Sequence, residues 1–308
     1  MLESTKKTNS LSVQDIQAID ETDFWIKAWA RNREDSISSK RKIRNEEETI
    51  EFWNRVAPSY DKHTSGKKNS RVSNVINILK RDGILTKGAE ILDVGCGPGT
   101  YALHFARSVK SITALDSAGE MCRLVEKRAK ADRLNNIKVI NRLWKDVTLE
   151  EDRMSNRFDL VFASMTPAVN DFNSLMKLIG ASKGYCCLIS SVRKSFDKAR
   201  NALWKRIFNE ERIQNSGSFI YNFNLLYSMG YRPTVNYIHS SWVREEPAET
   251  IIDRLSRSFW LYTEISAEVE KTITKYVNDH SIKGIFREEM ESQLGVMIWN
   301  VNHVDAQK

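Results

Sequence analysis

Ile91-Leu92-Asp93-Val94-Gly95-Cys96-Gly97-Pro98-Gly99-Thr100 is the stretch on which the fold turns. Glu90 to Val94 is a short, largely apolar run ending in Gly95, the pattern of a buried strand. Three glycines at alternate positions follow, and Thr100 to Val109 reads as a helix. Glycine lets the backbone turn sharply and approach a ligand with no Cβ in the way. In a doubly wound sheet, ligands bind at the carboxyl ends of the strands, near the reversal of strand order. A second strand, Ser111 to Leu115, ends in Asp116, about 20 residues beyond the loop, where an acidic side chain accepts hydrogen bonds from ribose hydroxyls. A dinucleotide fingerprint would put Gly or Ala where Thr100 stands, and a Walker loop would need a following Gly-Lys-Ser/Thr, which is absent.

Outward from this unit the alternation continues. Ser117-Ala118-Gly119-Glu120 is a capping-box pattern opening a helix to about Leu134. Strands are predicted over Ile137–Ile140, Phe158–Ala163 and Tyr185–Ile189, with helices over Asp171–Ile179 and Phe196–Glu211. Strands alternating with helices predict a mostly parallel sheet with helices on both faces. After Tyr231 come a strand, Thr234–His239, two helices, Ala248–Tyr262 and Ser266–Asn278, and a last strand, Gly295–Val301. The roughly 50 residues between those strands exceed a hairpin loop and read as an insertion over about 240–293. Upstream, Ser12–Arg33 is predicted helical with Trp25 and Trp29 on one face, and Glu46–Ala57 forms a second helix. These tryptophans either pack on the core or close over a ligand. The predicted organisation is a helical extension or lid over 1–49 and a ligand-binding domain over 50–308.

The chain has 308 residues and a net charge of +7, with 47 Lys+Arg against 40 Asp+Glu. The excess lies between residues 51 and 210, where 28 basic side chains face 17 acidic ones. It is diffuse, with neither a basic tail nor an aromatic–basic platform, so it reads as a solvated surface rather than a nucleic-acid footprint. No long apolar run predicts a membrane span, and the polar first ten residues lack a signal-peptide core. Cys96, Cys122, Cys186 and Cys187 show no CxxC spacing, and the five histidines no ligand spacing, so neither a disulfide framework nor a metal is expected. A cytoplasmic protein is expected; its oligomeric state is not legible.

DVGCGPG, with Ala114-Leu115-Asp116-Ser117 downstream, resembles the first two motifs of class I S-adenosylmethionine-dependent methyltransferases, over roughly residues 50–210. The resemblance implies an α/β, Rossmann-like doubly wound sheet of seven strands whose last strand, Gly295–Val301, runs antiparallel. It implies S-adenosylmethionine as cofactor, with Gly95, Gly97 and Gly99 under its methionine part and Asp93 toward its amino group. Asp116 would hold the ribose, Ser117 would lie beside it, and Met121 would lie near adenine. Phe52-Trp53 through Tyr60-Asp61 resembles the stretch before the first strand in small-molecule members, where Tyr60 would close over the cofactor. Many members carry Gly-Asp after the third strand, where this chain has Arg142-Leu143-Trp144-Lys145-Asp146. Asp146 takes that role or is a surface carboxylate, and Trp144 stacks on adenine or packs in the core.

Ser164 and Thr166 follow the fourth strand, where the methyl group would be presented. The Asn/Asp-Pro-Pro-aromatic tetrad of enzymes that methylate base amines is absent there. Cys186 and Cys187 read as buried structural thiols rather than a nucleophile. Candidate acceptor contacts are Thr166, Tyr221, Asn222, Trp25 and Trp29, against core packing as the alternative for the aromatics. The expected activity is methyl transfer to a small molecule. The alternatives are transfer or cyclisation through another carbon of the cofactor, and RNA methylation. No general base is identifiable.

Overall fold

The alternating pattern folds as a central sheet of seven strands in series, in a computed structural model that describes residues 21–64, 70–192, 197–212 and 219–305, with backbone alone at 37–38 and 59–64. Four helices, α1 (Thr22–Glu34), α2 (Ile37–Arg41), α3 (Glu46–Thr64) and α4 (Ser70–Arg81), precede β1 (Glu90–Val94). There follow α5 (Ala102–Phe105), β2 (Ser111–Asp116), α6 (Gly119–Ala131), β3 (Ile137–Asn141), a 3₁₀ turn (Trp144–Asp146), β4 (Phe158–Ser164), α7 (Phe172–Ala181) and β5 (Ser182–Ser191). The last part comprises α8 (Lys198–Phe208), α9 (Phe219–Ser228), β6 (Thr234–Pro247), α10 (Ala248–Trp260), α11 (Ala267–Asp279), β7 (Ser281–Ile282) and β8 (Ile285–Asn300). No helix among the described residues is long and apolar enough to cross a membrane.

The strand order is β3-β2-β1-β4-β5-β8-β6, with the two-residue β7 paired to the start of β8. β1 to β5 are parallel, and β8 runs antiparallel between β5 and β6. The chain leaves β1 toward β2 and β3, then returns to β4 on the other side, so the order reverses at the β1/β4 boundary. Crevices at such reversals are where doubly wound folds bind ligands. One apolar layer, with Ile91, Phe105, Phe162 and Ile298, lies on one face of the sheet. The other holds Leu92, Val161, Trp144 and Trp299 and reaches Trp29 of α1 and Leu225 of α9.

Three elements differ from their sequence reading. α5 is a single turn instead of a helix to Val109, because the Arg107 and Ser108 amides bond to His104 and Phe105 in i→i+3 fashion and tighten the chain into β2. The Ser117–Glu120 capping box does not form. Ala118 occupies the N-cap of α6, and the Asp116 carboxylate takes its amide instead. The 240–293 segment is more than a helical insertion. β6 and β8 continue past the sheet as a two-stranded arm, paired from Ser240↔Ser292 to Pro247↔Ile285. Along it Phe286, Glu288 and Met290 are buried while Arg287, Glu289 and Glu291 are exposed, the two-residue period of a half-buried strand. The arm carries α10 and α11, and with α8 they enclose a separate core of Leu203, Trp204, Ile251, Leu255, Phe259, Ile273 and Phe286.

Gly295 is where α9 meets the sheet: a Cβ there would lie 2.2 Å from the Phe219 ring and 2.6 Å from Val192. Gly295→Ala therefore overpacks this junction and is expected to cost about 1–3 kcal/mol in urea denaturation.

Candidate active site

The loop after β1 is shaped by backbone that only glycine adopts freely: φ is +67° at Gly95, +53° at Gly97 and +83° at Gly99. Its first amides turn back onto β2, with Gly95 N and Cys96 N donating to the Leu115 carbonyl at 2.8 and 3.0 Å. Gly97 N donates to Asp116 Oδ2 and Ala118 N to Asp116 Oδ1, each at 2.9 Å. The Asp116 carboxylate is thereby held by the loop and by the start of α6, with lone pairs left for a ligand. Burial pushes its carboxyl up, opposed by the amides of Ala118, Gly97 and Ser117.

Asp93, at the end of β1, is buried, and its Oδ2 has no hydrogen-bond partner. Burial first, then the charge of Asp116, pushes its carboxyl up to about 7, against the pull of the Ala102 amide. An orphaned carboxylate oxygen buried at the wall of a cavity is costly unless a ligand donor meets it.

These groups line one cavity of about 780 Å³, within the range of about 300–1,000 Å³ for small-molecule sites. Asp93, Gly95, Gly97, Asp116, Ser117, Met121, Trp144, Ser164 and Thr166 all contribute to its wall. Met121 is buried beneath Trp53 of α3, beside Ala57 and Ala118. Trp144 is also buried: its Nε1 donates to the Ser174 carbonyl at 3.2 Å, so the indole is anchored in the core and still faces the cavity. Lys177 fixes this turn by donating to the carbonyls of Trp144, Lys145 and Val147 at 3.0, 2.8 and 2.8 Å. Ser164 is hydrogen-bonded to Tyr101, whose phenol burial pushes up to about 12. Met165 has φ +51°, a left-handed backbone that a residue with a Cβ rarely adopts, at the very reversal of the sheet.

Other expected contacts fall elsewhere. Gly99 is off the wall: a Cβ there would lie 3.0 Å from Leu103 and 3.2 Å from Val125, so it lets the loop pass close to the side chains of α5 and α6. Asp146 is exposed and outside the cavity, which leaves it the surface carboxylate. Trp25, Trp29, Tyr221 and Asn222 do not reach it either. Trp29 is 4% exposed in the main core, Trp25 and Tyr221 pack against that core, and Asn222 is fully buried in α9. The shared face of Trp25 and Trp29 is thus a packing face of α1 and not a lid. Tyr60 lies in α3, with its side chain outside the described residues. Cys186 and Cys187 are fully buried and burial pushes both thiols up, so neither is a thiolate nucleophile.

Reading the sequence missed the other half of the wall. Arg71 and Val72 come from α4, an element not expected, although Val72, Val75 and Leu79 mark its helical period. Arg44, Asn45, Thr49, Ile50 and Trp53 come from α3 and the residues before it, and close the cavity from above. Several cations at the wall are paired, Arg33 with Asp171 at 3.4 Å, Arg142 with Asp152 at 2.6 Å and Lys145 with Glu46 at 2.5 Å. Arg71 has no carboxylate partner among the described residues.

The raised Asp93 pKa fixes the sign of a stability effect. The native carboxyl keeps its proton to higher pH than the unfolded one, so stability present below the ordinary value of 3.8 is lost as pH rises through about 7. The ligand-free protein is expected to lose about 1.4 kcal/mol per pH unit across that window from this group, and Asp93→Asn to flatten the slope in denaturation measured from pH 4 to 8.

Residues 91–179 match the family model of a methyltransferase domain. A curated relative, an uncharacterized protein of Haemophilus influenzae, is 23% identical over 190 residues, which cover 61% of this chain and 66% of the relative. Among solved structures, a provisionally assigned methyltransferase of Bacillus halodurans C-125 aligns at 16% identity and TM-score 0.49, covering 76% of this chain and 99% of its own. The magnesium protoporphyrin IX methyltransferase of Synechocystis PCC 6803, solved with bound SAH, aligns at 12% identity and TM-score 0.47, covering 82% and 99%. The family match starts inside β1 and ends in α7, so it spans both carboxylates and the reversal of the sheet, and over that stretch the chain is similar to a methyltransferase domain.

Proposed function

We propose that this protein methylates a small-molecule acceptor with S-adenosylmethionine. The observation that carries the reading is the unpartnered, buried Asp93 Oδ2 at the cavity wall, beside a glycine loop and an Asp116 carboxylate already oriented by two amides. Asp93 receives the cofactor's ammonium group, and Asp116 its ribose hydroxyls. Met121 and Trp144 offer apolar surface to the adenine, and Arg71 offers a cation to the methionine carboxylate. When bound, S-adenosylmethionine supplies an electrophilic methyl group on its sulfonium. The chain's own part is positioning and the exclusion of water. Ser164, Thr166 and the strained Met165 shape the wall beside the reversal point, where the acceptor meets the cofactor. A Tyr101 phenol with a pKa near 12 stays neutral and serves as a hydrogen-bond partner, not as a base. Residues from Arg44 to Trp53 also line the cavity, whose volume of about 780 Å³ is of small-molecule size, and this supports a small acceptor over a nucleic acid.

Incubation with S-adenosylmethionine and a small-molecule cell extract, read by mass spectrometry, is expected to give S-adenosylhomocysteine and one product heavier by a methylene. Methylthioadenosine instead would replace methyl transfer by chemistry at another carbon, and methyl incorporation sensitive to RNase would replace the small acceptor by RNA. Asp116→Ala is expected to weaken S-adenosylhomocysteine binding roughly tenfold or more by calorimetry. In the wild-type protein that affinity rises with pH through about 7, as Asp93 ionises to meet the ammonium, and in Asp93→Asn this rise is absent.

A further inference from the structure

The N-terminal segment meets the arm around Trp260, at the end of α10. The guanidinium carbon of Arg44 lies 4.1 Å from the centre of the Trp260 ring and that of Arg55 lies 4.4 Å from it. The Phe52 ring is nearly parallel to it at 6.4 Å. Hydrogen bonds join the two as well: the Arg44 side chain donates from Nε to the Trp260 carbonyl at 3.0 Å, and the Ile43 amide donates to the Leu261 carbonyl at 3.2 Å. Arg44 also pairs with Glu264 at 2.7 Å. Just upstream, Arg41 forms a two-pronged pair with Glu210, after α8, at 2.9 and 3.0 Å, and stands over Phe208.

The other side of the same segment is the roof of the cavity. Arg44 itself lines it, followed by Asn45, Glu46, Thr49 and Ile50. The start of α3 is set locally by a reciprocal cap, Asn45 Oδ1 taking the Glu48 amide at 2.8 Å and Glu48 Oε2 the Asn45 amide at 2.9 Å. Of the described side chains of α3 only Ala57 is fully buried; with Trp53 it packs on Ala118 and Met121 at the start of α6, where Asn54 Oδ1 accepts the Glu120 amide at 3.0 Å, whereas the first turn, Glu46 to Thr49, has no fully buried side chain. Segments with so little buried apolar contact sit at the low end of local stability. That turn and the residues before it are held by the pair of Glu46 with Lys145 on one side and by the attachment to the arm on the other.

We propose that Trp260 is a positioning residue, through which the arm holds the first turns of α3 over the cavity and so sets how long the cofactor is retained. Only the clause on retention rests on the function proposed above. The test is hydrogen exchange by mass spectrometry on the full-length protein, without ligand and with S-adenosylhomocysteine. In Trp260→Ala, exchange across residues 43–57 is expected to rise roughly tenfold without ligand, the change in open population that two lost cation–π contacts produce, while β1 to β5 stay protected. S-adenosylhomocysteine is expected to dissociate faster by a similar factor, and Trp260→Phe, which keeps a ring beneath the guanidiniums, to restore most of both. Unchanged exchange at 43–57 in a folded Trp260→Ala protein overturns the proposal, as does a rise spread evenly over the sheet. If the wild-type protein binds no S-adenosylhomocysteine, the functional reading fails while the ligand-free comparison still decides the attachment. If Trp260→Ala does not fold, Arg41→Met at the exposed pair with Glu210 takes its place: a smaller rise confined to 41–57 supports the proposal and no rise overturns it.

Discussion

A Cβ at Gly95 would lie 2.0 Å from Thr166 Oγ1, and this absence of room locks the loop after β1 against the loop after β4. The two loops leave the sheet at the point where its strand order reverses, so their contact fixes the floor of the crevice. Everything chemical in the molecule is placed relative to it. Asp93 sits two residues before Gly95, and Ser164 two before Thr166. Asp116 is drawn in by the Gly97 amide, and Tyr101 reaches Ser164 from the far end of the loop. The strained φ of Met165 follows from the same close approach, since the chain must turn within one residue of β4 to put Thr166 against glycine backbone.

The remainder of the chain encloses this floor. α6 and the Trp144 turn wall one side, with Lys177 tying three carbonyls of that turn together. α4 walls the other side, and α3 covers the top. The cover packs through Trp53 and Ala57 on α6 and meets at its first turn the arm, whose own apolar centre of Trp204, Leu255, Phe259 and Phe286 is separate from the layers on the sheet. An arm with its own core offers a firm edge to the first turn of α3, which α6 does not reach with a fully buried side chain, and so a long insertion late in the chain touches the residues that line the cavity.

How far the sequence discloses this depends on whether apolar periodicity or tertiary pairing shapes each element. β1 has the bounds expected of it, because its apolar run and the glycine that stops it are both local signals. The antiparallel last strand also follows the expectation, but its outer half does not. From Ile285 to Ser292 it reads Ile-Phe-Arg-Glu-Glu-Met-Glu-Ser, with no clean apolar–polar alternation, and its buried Glu288 is made tolerable by the Ala199 amide at 3.0 Å and by Arg244 opposite. No local pattern announces a partner so distant in sequence. Trp25 and Trp29 failed as ligand contacts for a related reason. Helical spacing says that they share a face, but which surface that face meets is decided by α9, nearly 200 residues on. Arg71 escaped notice because a lone cation on an amphipathic helix looks like ordinary surface until the fold turns it toward a cavity.

Asp93 shows why the most legible site is also the least comfortable one. A carboxyl buried at the end of a central strand, close enough to Asp116 to feel its charge, raises the free energy of the ligand-free protein. An apolar residue there would pack against Phe162 and Ala114 with no such cost, and Ile91, Leu92 and Val94 of the same strand are such residues. The same oxygen that is destabilising when unpaired becomes a charge-assisted acceptor once an ammonium meets it, at about twice the strength of a neutral hydrogen bond. Ligand binding and fold stability are thus coupled through one side chain. The roof over the cavity completes the coupling, since excluding water from Asp93 strengthens its attraction for a bound cation and deepens its penalty without one.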